Sequence, residues 1–104
     1  MTEPIAPVAG GQTIAAMTAG AAGLAGTQVS VRGKVVKYNG GIMGKNWIHV
    51  QDGTGDMTVT TAATAAPVAL GDVVVLRGTI AVGKDFGGGY SYAVIVEDAA
   101  LVTP

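Results

Sequence analysis

Trp47, His49 and Gln51 recur at every second position of the segment Trp47-Ile48-His49-Val50-Gln51-Asp52. In an extended chain this spacing puts an indole, an imidazole and a carboxamide on one side, with Ile48 and Val50 on the other. An indole is a flat stacking surface, worth about 1 to 3 kcal/mol per nucleic-acid base stacked on it. Polar groups two and four residues on can donate to phosphates or base edges. Arg32, Lys34, Lys37 and Lys45 fall between Val31 and Trp47 with no acidic residue among them, so the region ahead of Trp47 is locally positive. Tyr38 lies in the same run, and Phe86, Tyr90 and Tyr92 gather around a Gly87-Gly88-Gly89 stretch further on. Together these eleven positions are the candidate ligand-binding set. Each also has a plainer reading. The single Trp can cover a barrel end or a subunit contact, and the cations can be ordinary solvated strand positions. The three later aromatics can fold over the Trp47 face as a lid or simply close the end of the barrel.

Other chemistries find no residues to carry them. There is one histidine and no cysteine, so His49 has neither a second imidazole nor a thiolate to share a metal with. Asp52-Gly53-Thr54-Gly55-Asp56 lacks the spaced oxygen ligands and closing glutamate of a calcium loop, and reads as a turn held by Asp and Thr side chains. Gly87-Gly88-Gly89 lacks the Lys-Ser/Thr of a phosphate loop and reads as a hinge. No nucleophile, base and oxyanion-donor set can be assembled. The chain is expected to be a non-enzyme without a cofactor.

The elements that must position the candidate residues are mostly strands. Val29, Val31 and Val35 alternate with Ser30, Arg32 and Lys34, with Gly33 marking a bend. Trp47 to Gln51 is a second strand, and Met57 to Thr61 a third with a Thr-rich outer face. Val73 to Val82 is a fourth, with Val74, Leu76, Ile80 and Val82 on one face, Arg77 on the other and a second bend glycine at Gly78. Tyr92 to Val96 is a fifth, and Ala99 to Val102 a short apolar tail packed back on the barrel. The Gly-rich stretch Lys84 to Ser91 reads as a mobile loop. Pro67 disfavours a long helix between strands three and four. Ahead of the strands, Thr13 is a plausible N-cap for a helix with Ile14, Met17, Ala21 and Leu24 at helical spacing, ended by Gly26. Residues 1–11, with Pro4, Pro7 and a Gly-Gly pair, read as a flexible tail or linker, and residues 12–104 as one domain. The architecture expected is all-β: a five-stranded Greek-key barrel with a short N-terminal capping helix.

Val-Arg-Gly-Lys-Val at 31–35, followed by Trp47-Ile48-His49-Val50-Gln51-Asp52-Gly53-Thr54-Gly55, resembles the first hairpin of the OB-fold domains that bind the anticodon in class II aminoacyl-tRNA synthetases. The run from Asn39 to Gly55 is also similar to small bacterial OB-fold domains, often exported and described as nucleic-acid-binding, over about Thr13 to Leu101. The resemblance implies an OB-fold and a base-stacking role for Trp47. Gln51 departs from the synthetase pattern, which commonly has Arg there. It also implies an exported location over a cytoplasmic one. No basic-then-apolar leader opens the chain, and no apolar run approaches the length of a membrane span.

Two functions follow. The first is a module for single-stranded nucleic acid held across strands one to three, weakly and with steep salt dependence, since net charge is only −1. The second is a structural or protein-interaction domain that self-associates or docks on a partner, in keeping with 12% charged residues and a mean hydropathy of +0.47. In that reading a partly open barrel also offers strand edges for pairing.

Overall fold

The structure, a computed structural model, describes residues 5–8, 11–65 and 67–102. Five strands, β1 (Gln28–Ile42), β2 (Lys45–Gln51), β3 (Asp56–Ala62), β4 (Val73–Asp85) and β5 (Ser91–Val102), follow two short helices, α1 (Ile14–Ala19) and α2 (Ala21–Leu24). The sheet closes on itself in the order β1-β2-β3-β5-β4. All pairings are antiparallel except β3 with β5. Every strand is therefore paired on both flanks, and the open strand edges expected from the sequence are absent among the described residues.

One long strand makes closure possible. β1 pairs with β4 from Gln28 to Lys34 and with β2 from Lys34 to Ile42, changing partner at the bend. Gly33 sits at that change, where a Cβ would stand 3.0 Å from the Gln51 carbonyl oxygen and 3.1 Å from Val50 Cβ. The strand runs past Val35 to Ile42 because Met43 and Gly44, with φ of 53° and 75°, make a two-residue turn whose twist suits a tight hairpin. Gly78 is the second crossing point, facing Glu97 and Ala99 of β5. A Cβ there would come within 2.7 Å of the Glu97 carbonyl oxygen.

Val31, Val35, Ile48, Val50, Val59, Leu76, Ile80 and Val96 fill the interior. Ile14, Met17 and Ala21 close one end over them. The capping helix has the expected N-cap, with the Thr13 hydroxyl accepting from Ala16 N at 3.1 Å. It is not continuous: Gly20, at φ −98° and ψ 12°, separates α1 from α2. Neither piece is long enough to persist unaided, and packing holds both.

Other expectations need correction. Ala99 to Val102 is part of β5, paired with β4 through Val75↔Val102 and Arg77↔Ala100, and the chain reaches that register by a bulge at Asp98, whose φ is 53°. Leu101 and Val102 are exposed rather than packed down, and Val82 is exposed because β4 runs there beyond the core. Lys84, Asp85 and Ser91 belong to strands, which shortens the Gly-rich loop to a turn. The expected loop between β3 and β4 holds no helix among its described residues. Of the tail, residues 1–4 and 9–10 lie outside the described residues, while Ile5 N donates to the Asp52 carbonyl at 2.7 Å.

Candidate functional site

Cross-strand register assembles the outer face of β1, β2 and β3 in rows. Asn39, Trp47 and Thr60 form one row, Lys37, His49 and Thr58 the next, and Lys34, Gln51 and Asp56 a third. The sequence-predicted alternation on β2 is therefore present. The face is not open throughout. Trp47 is only 1% exposed, so it is no bare stacking platform.

What covers Trp47 is the end of the β4–β5 hairpin. Tyr92 lies nearly parallel to the indole at a centroid distance of 5.8 Å, Tyr90 is tilted at 5.2 Å, and Phe86 meets it edge-on at 5.1 Å. The indole N–H donates to the Ile42 carbonyl at 2.8 Å, which pins the ring against the β1–β2 turn. Aromatic contacts of this kind add about 0.5 to 1.5 kcal/mol each beyond the burial itself. The tip is closed by Phe86 N donating to Tyr90 O and Tyr90 N to Gly87 O. Gly87, Gly88 and Gly89 all have positive φ, a run that residues with side chains would not readily adopt. Phe86, Tyr90 and Tyr92 each remain part-exposed, so the outer surface of the cluster is theirs.

The cations divide into two groups. Lys34 and Lys37 are exposed and Arg32 half-buried. Lys45 is engaged: it pairs with Glu97 at 3.7 Å and lies 5.1 Å from the Phe86 ring centre. Lys84, which the sequence did not single out, pairs with the same carboxylate at 3.4 Å and lies 5.8 Å from the same ring. Glu97 thus ties both lysines to the margin of the aromatic cluster. Only contact across a strand pair could have revealed it, because Glu97 lies far from Lys45 in sequence.

His49 is part-buried and 3.3 Å from the Thr58 hydroxyl. Burial, then the Lys37 charge, lower its pKa against an opposing pull from Asp56, so near pH 7 the imidazole is neutral and does not add to the positive region. Burial, followed by the neighbouring Tyr90, raises Tyr92 and keeps it a phenol. Gln51 is half-buried beside Lys34. Tyr38 does not join this face: it registers with Ile48 and packs against the core from the opposite side of the strand pair. Thr58 and Thr60 are buried, so β3 does not carry the exposed Thr-rich surface expected of it. Thr60 accepts from Asp98 N at 3.3 Å, which shows β5 reaching over this face.

Asp52 is structural, as its place in a side-chain-held turn suggested, and it does more than hold that turn. One oxygen accepts from Thr54 N at 2.8 Å and from Gly55 N, and the other accepts from Ile14 N at 2.9 Å. Thr54 also accepts from Ala15 N. The turn after β2 thereby fastens the start of α1 to the barrel. Among the described residues no three His, Cys, Asp or Glu side chains are grouped to hold a metal, and no helix is long and apolar enough to cross a membrane. Comparison with protein-family models and with curated proteins finds no match.

Proposed function

We propose that this chain is an OB-fold module that binds single-stranded nucleic acid on the outer face of β1–β3, beside the tip of the β4–β5 hairpin. The observation that carries the reading is the tier of Phe86, Tyr90 and Tyr92, part-exposed above and seated on a buried Trp47 below. A rigid aromatic surface with one side packed and the other wet is suited to stacking bases irrespective of sequence. Lys37 and Lys34 lie in successive rows along the same face, spaced to meet a backbone that runs past the rings. The strand order with a parallel β3–β5 pair supports the OB assignment, since OB-folds are five-stranded Greek-key barrels that bind through strands 2 and 3 and the loops beside them. Trp47 then supports the stacking surface, while Tyr90 and Tyr92 make the contact.

The test is a titration of the protein with oligo-dT of about ten nucleotides, within the usual span of one such domain, followed by Trp47 fluorescence. A saturable change reversed by salt is expected, with Tyr90→Ala weakening binding by roughly 1 to 3 kcal/mol. A wild-type protein whose emission shows no saturable change at low salt would remove the proposal.

A second reading, self-association, draws on a different region. Leu70 is 66% exposed and Val73 44% exposed beside the turn that bonds to Val35. Exposed Val102 registers with Val75, two residues along β4 from Val73. Apolar surface gathered in this way is a contact surface in many proteins. A strictly monomeric species at high concentration by light scattering would count against it.

A further inference from the structure

The two short helices and the start of β1 enclose a hollow of about 280 Å³ that shares no residue with the aromatic cluster. Met17, Leu24 and Val29 give it an apolar side, and Gln28, Ser30 and Arg77 a polar one. Arg77 stands across the β1–β4 ladder from Ser30. Its Nε donates to Gln28 Oε1 at 3.1 Å and its Nη1 to Ser30 Oγ at 3.2 Å.

Both of those acceptors are neutral. They fix the direction of the guanidinium without cancelling its charge, and the ion pairs found among the described residues belong to Lys45 and Lys84 instead. Two of the five guanidinium N–H groups are used, leaving three, and a fork of this kind takes a carboxylate through two parallel bonds. An oriented, uncompensated cation at the polar side of a small, partly apolar hollow is complementary to an anion with a hydrocarbon body. The volume lies just below the usual small-molecule range, which restricts that body to about four to six carbons. We infer that this hollow is a binding site for a small aliphatic monocarboxylate, anchored by Arg77 and seated on Met17, Leu24 and Val29. The inference does not depend on what the β1–β3 face binds.

The probe is sodium hexanoate, added to the ¹⁵N-labelled full chain, with sodium acetate and hexanol as the two half-ligands. The Arg77 Nε–H resonance and the amides of Leu24, Gln28 and Ser30 should shift saturably with hexanoate. Acetate and hexanol should each bind about tenfold more weakly, the scale expected for losing one charge-assisted contact or most of the apolar one. Arg77→Gln should lose about tenfold in hexanoate affinity, and Arg77→Lys, which keeps the charge but not the fork, should fall between. Equal affinity for hexanoate and hexanol would overturn the role of Arg77, and equal affinity for hexanoate and acetate the role of the apolar side. Absence of saturable shifts up to the solubility limit, or shifts centred on Trp47, would overturn the site.

Discussion

Trp47 and Tyr90 touch each other yet are expected to answer differently to truncation. Trp47 is buried, hydrogen-bonded and surrounded by rings, so Trp47→Ala should cost about 3 to 5 kcal/mol of stability in a urea titration. Tyr90 lies at the wet side of the cluster, and Tyr90→Ala should cost well under half of that while reducing oligonucleotide binding. Equal losses of stability would place both rings in the core and remove the stacking surface. Asp52 gives a prediction with a definite sign. Burial raises its pKa, but the Ile14 N–H and the Thr54 and Gly55 donors outweigh this and leave it lowered. Its contribution to stability is therefore complete above the unfolded value of about 3.9 and is lost as pH falls from there through the lower folded value. Asp52→Asn should weaken the attachment of α1 at neutral pH, and should flatten the fall in stability of the wild type in acid, read by denaturant midpoints across that window.

The glycines within elements make opposite predictions. Gly78→Ala would press a methyl onto the Glu97 backbone, with no flexible side chain to yield, and should destabilise by at least about 2 kcal/mol. Gly23, inside α2, has nothing within 4 Å of a new Cβ. Gly23→Ala should stabilise by about 0.5 to 1 kcal/mol through helix propensity. Thermal midpoints moving in the same direction for both would contradict the packing described. These positions also show what the sequence makes legible. Period-two alternation located all five strands, and Gly33 and Gly78 marked both bends, because each signal is local. The extent of β1 beyond Val35 and the recruitment of residues 99–102 into β5 were hidden, since both depend on partners distant in sequence and on bulges that reset the register. The same cause hid the state of Trp47. Alternation assigned its face correctly, but its burial is set by a hairpin about forty residues away that folds over that face.

For the molecule as a whole, charge is nearly balanced, so association with a polyanion depends on how the few cations are committed. Glu97 occupies two of them. Glu97→Gln would release Lys45 and Lys84 at the margin of the aromatic tier and should strengthen oligonucleotide binding. If both lysines then meet phosphates, the slope of log K against log salt should steepen by up to about 1.4, at roughly 0.7 per contact on a single strand. An unchanged slope would show that neither lysine reaches the backbone. The order in which the strands close has a further consequence, for the time the chain takes to fold. β1, β2 and β3 form a meander of neighbours and β4 with β5 a hairpin, and both can form from local contacts. The two seams that complete the ring, β1 with β4 and the parallel β3 with β5, join residues far apart in sequence. Loop-closure entropy must be met before either seam gives anything back, so docking of the two subassemblies sets the rate and places it in the slow, millisecond-to-second range of non-local β topologies. Trp47, on the first subassembly, acquires its aromatic neighbours from the second, so its burial marks the moment the ring closes.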